Sequence, residues 1–338
     1  MVVLAPVYLC LLEWIKAVPQ GPGLAGPDSE QAIMTKPAFP DLIETRHPLP
    51  EAERGIERDL LAATQQHFAT FPGTMRDAYD AMTDQTPMAD GMALEQIDDG
   101  AIQGWWVRPA GAPADRAILF LHGGAYMLGS AAGYRGFASQ MAARTGMAVF
   151  VLDYPRAPDH PFPAAFDAAS LARLWLAGQG VTQIALVGDS AGGALALAML
   201  DGQGPQVASV IVFSPWIDLT LTGASFKDET YDPIFKPQIL VKAVETYLAG
   251  ADPRDGRASP LYALPAALPP LAIQVGTDEL LLDDAQRYAE AAAGKSKEVR
   301  LDIYEGLHHV FQRSVAQLPS ARRALDDAAS FIARHWRG

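Results

Sequence analysis

The sequence predicts an α/β protein with a mostly parallel central sheet flanked by helices, and two observations carry that expectation. Short apolar, β-branched runs at residues 117–121, 148–152, 184–187, 210–213, 271–275 and 299–304 alternate with Ala-rich stretches of helical composition. Most of these runs are apolar at every position rather than every second one, so both faces of the strands are expected to be buried, and helices inserted between them make neighbouring strands parallel. A chain of 338 residues is also long enough to bury about three quarters of its unfolded surface in such a core.

Taken in order, residues 1–12 (MVVLAPVYLCLL) are apolar, but no basic segment precedes them and no A-x-A cleavage pattern follows. They read as a helix lying on the body rather than a secretory leader, with Cys10 a small buried apolar group. No stretch reaches the roughly 20 apolar residues of a membrane span, so the expectation is a cytoplasmic protein without stable membrane insertion. Residues 17–50 are dense in Pro and Gly and read as a loosely ordered linker. Apolar residues then recur at helical spacing over 51–86, as two helices split at 71–73. Residues 94–109 alternate as a hairpin turning at Asp98-Asp99-Gly100, with Trp105 and Trp106 as strand packing. Helices follow near 134–145, 164–177, 191–200, 282–293 and 319–335. Residues 215–270 are too long for an ordinary connection, contain a helical segment at 237–249, and read as a lid.

Composition removes several function classes. Lys and Arg number 26 against 39 Asp and Glu, a formal charge of −13, which is the wrong sign for a nucleic-acid partner and disfavours anionic membranes. A single cysteine excludes an internal disulfide framework and a Cys-based zinc site. The chemistry the chain does suggest needs neither metal nor organic cofactor.

That chemistry is written in three places. Gly188-Asp189-Ser190-Ala191-Gly192-Gly193 follows one apolar strand and opens a helix. Small flanking residues permit a tight strand-to-helix turn that pushes the Ser190 hydroxyl out at the sheet's carboxyl edge, as a nucleophile. His122-Gly123-Gly124-Ala125-Tyr126 follows another strand; Gly123 and Gly124, with Ala191, are expected to donate backbone N–H groups to an oxyanion, while His122 holds the loop. Of the three histidines beyond Ser190, His335 falls at the end of the last helical stretch, and His308 and His309 stand together in a loop after the run ending at 304. One of them is the expected general base, and residue chemistry alone does not choose. The acid orienting it is expected in the loop after 271–275, as Asp278 or Glu279, with Asp283 and Asp284 favouring the start of the next helix through its dipole. Tyr126 and Trp216 are candidates for the substrate-pocket wall, and Met127 and Met141 for core filling.

Together these motifs resemble the hormone-sensitive-lipase-like family of α/β-hydrolases, the bacterial class IV esterases, over roughly residues 75–336. The family's HGGG stands here as HGGA, its GDSAGG is intact, and residues 153–164 (DYPRAPDHPFPA) are similar to its DYRLAPEHPFPAA, with Pro155-Arg156 replacing Arg-Leu. SPWIDL at 214–219 and ASPLY at 258–262 resemble the acetyl-ester and ε-lactone hydrolase-like members. The resemblance implies an α/β-hydrolase fold with a helical cap: residues 1–90 as extension and cap helices, 91–214 and 259–338 as core, and 215–258 as cap insertion. It selects His309 as base and favours Glu279 over Asp278 as acid. It implies a serine carboxylesterase acting on small-molecule esters of short to medium chain, with an amidase, arylformamidase or lactone hydrolase using the same triad as the alternative. A homodimer through residues 299–304 and 319–335 is a further implication.

Overall fold

In the computed structural model, which describes residues 41–227 and 231–336 and the backbone strand β1 (Ile33–Met34), successive residues of the central strands serve two cores. In β5 (Arg116–Leu121), Leu119 and Leu121 enter one apolar cluster while Ile118 and Phe120 enter the other. The two-residue period of a strand sends neighbours to opposite faces, so both sides of the sheet need cover. Helices α4 (Ala164–Gly178), α5 (Ala191–Ala198) and α7 (Leu282–Ala292) supply it on one face, α3 (Arg135–Thr145) and α8 (Pro319–His335) on the other. The expected helix over residues 1–12, with Cys10, lies outside the described residues.

Among the described residues the sheet has ten strands in the order β1-β2-β10-β9-β8-β7-β5-β6-β4-β3. The parallel block contains β2 (Leu42–His47), β10 (Val299–His308), β9 (Leu271–Asp278), β8 (Gln206–Phe213), β7 (Gln183–Asp189), β5 and β6 (Ala148–Leu152). The hairpin of β3 (Met92–Asp99) and β4 (Ile102–Pro109) closes one side antiparallel, as expected. From β5 the chain steps outward to β6, whereas from β7 it steps the other way to β8. The loops leaving β5 and β7 therefore diverge at the carboxyl edge and open a crevice there.

One expectation fails at the far edge. The stretch 17–50, read as a linker, contains β2, which pairs in parallel with β10 from Leu42 opposite Val299 to His47 opposite Tyr304. Only Leu42 of β2 is buried, so the strand lacks the apolar pattern that marks the others and takes its order from pairing. His47 Nε2 meets Asp302 Oδ1 at 2.9 Å and its ring stacks on Tyr304 at 4.4 Å. With β2 paired to it, β10 has no free strand edge over residues 299–304.

Helices α1 (Glu51–Thr70) and α2 (Met75–Thr83) precede β3, split where expected. The long insertion contains α6 (Pro237–Leu248). Among the described residues no helix is long and apolar enough to cross a membrane.

Candidate active site

Ser190 stands between β7 and α5 with φ 52° and ψ −121°, a conformation a non-glycine residue adopts only when its surroundings enforce it. They do so on both sides. The Ser190 N–H donates to Phe213 O at 2.8 Å and its carbonyl accepts from Trp216 N at 3.0 Å, so the end of β8 clamps the turn. A Cβ on Gly192 would lie 2.0 Å from Leu121 O, which is why the helix can start this close to β5 only with glycine there.

The loop after β5 is held by a neighbour of that serine. Asp189 is fully buried; its Oδ1 accepts from Gly123 N at 2.8 Å and its Oδ2 from Tyr134 OH at 2.8 Å, while burial pushes its carboxyl above the usual range. This corrects the expectation that Gly123 supplies an oxyanion donor, because its one amide proton is already given to Asp189. Gly124 and Ala125 line the cavity beside Ser190 instead. Gly124 has φ +119°, and a Cβ there would lie 2.3 Å from Leu128 O; Ala125 follows at φ 54°. Ala191 is the first residue of α5, so its N–H has no acceptor a turn earlier. His122 is buried, stacked on Tyr154 at 4.2 Å and pushed down to about 4 by desolvation, so it is a neutral prop of the loop.

The two histidines separate cleanly. His309 Nδ1 meets Glu279 Oε2 at 2.7 Å, while Glu279 Oε1 accepts from Gly276 N at 2.7 Å and Ser214 OH at 2.9 Å. Both residues are buried. With Nδ1–H held by the carboxylate, Nε2 is the nitrogen free to take a proton. Asp278 accepts instead from Thr277 OH at 3.0 Å, and burial raises its carboxyl. His308 is turned to Glu57 of α1, with Nδ1 to Oε1 at 2.6 Å. Asp283 and Asp284 lie in the first turn of α7 as expected, and also accept backbone N–H groups from the insertion: Ala224 to Asp283, Ile217 and Asp218 to Asp284.

Ser190, His308 and His309 share one cavity of about 370 Å³, walled by α1, α2, residues 233–239 and residues 310–317. Tyr126 and Trp216, expected in its wall, are not there. Tyr126 is fully buried and stacks on Tyr247 of α6 at 3.8 Å, and Trp216 is buried behind it at 6.5 Å; their large rings fill the second layer.

Sequence reasoning missed three residues that position this site. Ser214, quoted only as part of a motif, accepts from Val310 N at 3.1 Å while donating to Glu279, joining Glu279 to the loop that carries His309. Asp232 takes N–H groups from Ile234, Phe235 and Leu280 at 2.7, 2.7 and 2.9 Å, and burial pushes it up to about 6. It thereby ties the insertion to the residue after Glu279 and sets the Phe235 ring edgewise on His309 at 5.1 Å. Glu57 carries no local signal, since its partner is 251 residues away.

Comparison with known proteins gives a consistent set of relatives. A family described as having the alpha/beta hydrolase fold matches residues 118–313. The chain is 39% identical over 234 residues to an acetyl-hydrolase of Streptomyces hygroscopicus, covering 67% of this chain and 78% of that one. It is 35% identical over 268 residues to an esterase of Acinetobacter venetianus, covering 77% and 88% respectively. Its structure is similar to that of an esterase from the bacterial hormone-sensitive lipase (HSL) family, with a TM-score of 0.77 at 34% identity, over 85% of this chain and 99% of the other.

Proposed function

The chain belongs to the α/β-hydrolase fold family, among the bacterial hormone-sensitive-lipase-type esterases, and from that premise we propose that Ser190, His309 and Glu279 are its catalytic triad. The protein is a carboxylic ester hydrolase. The observation that carries the triad is the 2.7 Å contact of His309 Nδ1 with a buried Glu279 that has no role in the core except to be held by Gly276, Ser214 and the imidazole.

Ser190 attacks the ester carbonyl while His309 Nε2 takes its proton. The tetrahedral oxyanion forms against the N–H groups of Gly124, Ala125 and Ala191, and its collapse expels the alcohol, protonated by His309. Water activated by the same imidazole then releases the acid from the acyl-Ser190 ester. Glu279 stabilises the imidazolium in both halves. Residues of α1, α2 and the insertion at 233–239 act as the cap. A cavity of about 370 Å³ is at the lower end of the roughly 300–1,000 Å³ usual for small-molecule sites, which supports esters of short to medium chain.

Hydrolysis of p-nitrophenyl butyrate by the wild type and Ser190→Ala, measured side by side, tests the reading. The expected result is activity in the wild type and a loss on the order of 10³-fold or more in the variant. Equal activity in the two proteins overturns the assignment of the nucleophile, and equal turnover of laurate and butyrate esters overturns the chain-length preference.

A further inference from the structure

The cavity that holds Ser190 has the opposite electrostatic character to the rest of the chain. The protein carries 39 acidic side chains and a net charge of −13, yet among the described residues no Asp or Glu lines this cavity. Its wall holds one guanidinium, that of Arg313, beside three imidazoles and neutral polar groups that include Gln65, Gln85 and Gln317.

The nearby carboxylates stand behind donors. Asp189 is covered by Gly123 N–H and Tyr134 OH, Glu279 by His309, Ser214 and Gly276, and Glu57 by His308. Arg313 has no such cover. A guanidinium presents five N–H donors, and its hydrogen bonds among the described residues are two long ones from Nη1, to Tyr79 OH at 3.3 Å and Tyr134 OH at 3.5 Å, with Cζ 5.8 Å from the centre of the Tyr79 ring. No carboxylate among the described residues forms a salt bridge with it. Burial raises the pKa of both phenols, so they face the cation as neutral groups. Asp189 attracts Arg313 through space but already has its hydrogen bonds elsewhere.

Arg313 is also placed to act on a substrate. It lies in the 3₁₀ turn Phe311–Ser314 that follows His309, with its N–H on Val310 O at 3.2 Å. At about 2 Å of rise per residue in such a turn, the base and the guanidinium belong to one short rigid segment, and both line the same space.

We propose that the preferred substrates are esters carrying a second, anionic group, a carboxylate in the acid or the alcohol part, and that Arg313 is the residue that binds it. A short dicarboxylic acid half-ester is the simplest member of the class. The carboxylate takes the guanidinium donors the fold leaves open, in charge-assisted hydrogen bonds. The proposal rests on the esterase reading and narrows its substrate.

The test compares kcat/KM for charged and neutral esters within each protein, so that a general defect cancels. On the acid side p-nitrophenyl hydrogen glutarate is paired with p-nitrophenyl valerate; on the alcohol side 3-butanoyloxybenzoate is paired with phenyl butyrate, followed by pH-stat. The expected wild-type preference for the charged member of at least one pair is about tenfold or more, carried by KM and weakened by salt. Arg313→Met removes that preference and Arg313→Lys keeps most of it. A wild type that favours the neutral member of both pairs overturns the proposal. So does Arg313→Met with an unchanged ratio, the result if Arg313 only supports Asp189. If Arg313→Met does not fold, the salt dependence of the wild-type ratio decides: a ratio that does not fall as ionic strength rises overturns the proposal. Failure of the wild type to hydrolyse any of the four esters, charged or neutral, overturns the esterase reading instead.

Discussion

His309 Nδ1 stands 2.7 Å from Glu279 Oε2, and the adjacent Asp278 is committed to Thr277. The side chains of neighbouring residues at a strand end diverge, so only one of the two carboxylates reaches the imidazole. Glu279→Ala is expected to lower kcat for p-nitrophenyl butyrate by about 10²–10⁴-fold. Asp278→Ala is expected to stay within about tenfold of wild type. Equal losses in the two variants would remove Glu279 from the triad.

The oxyanion donors are separable by the same logic. Gly124→Ala places a Cβ 2.3 Å from Leu128 O at φ +119° and so displaces an N–H that the mechanism needs. A loss of about 10²–10³-fold in kcat is expected, the usual effect of removing one such donor. Ala125→Gly keeps its N–H and relieves a φ of 54°, and its kcat is expected to remain near wild type. Steady-state kinetics on the purified variants decides, with circular dichroism confirming that both are folded.

Asp284 gives the protein a stability that falls as pH rises. Burial, with Asp218 beside it, pushes its carboxyl up to about 8, against about 3.9 in an unfolded chain. Between those values the folded state holds the proton more tightly than the unfolded state, so raising the pH through this window costs stability. Asp232, pushed up to about 6, adds the same sign over the lower part of the window. Asp284→Asn is expected to flatten the fall in melting temperature between about pH 5 and 8. A melting curve as steep as that of the wild type over this range would contradict the assignment.

Helix α1 is seated by two buried glutamates. Glu53 accepts from Ser320 N at 2.8 Å and Arg323 at 2.9 Å, at the start of α8, and Glu57 holds His308. Glu57→Ala leaves the His308 Nδ1 without its partner in a buried position, at a cost of about 1–3 kcal/mol. Urea denaturation should show that loss. Hydrogen exchange should show faster opening of residues 51–70, and KM should rise more than kcat falls, because α1 walls the cavity without touching the reacting atoms.

Much of this was legible locally. The elbow at Ser190 could be read because a strand-to-helix turn at that angle demands small residues at 188, 192 and 193, all of them adjacent in the chain. The central strands could be read because burial on both faces leaves few polar positions in them. Strand β2 could not, since its LIETRH is half exposed and owes its order to β10 some 250 residues away. That β10 has its edge covered was hidden for the same reason.

By itself, then, the sequence determined the fold class, the tight turn at Ser190 and the glycine loop, because each rests on steric demands met within a few residues. The tertiary structure alone decided that Gly123 serves Asp189 rather than an oxyanion, that Tyr126 and Trp216 fill the layer behind the cavity, and that His308 turns to Glu57 while His309 turns to Glu279. A hydrogen bond is a matter of ångströms between groups that the chain brings together only on folding. Chain spacing says which residues reach the same edge of a sheet; packing around them decides which atom each one meets.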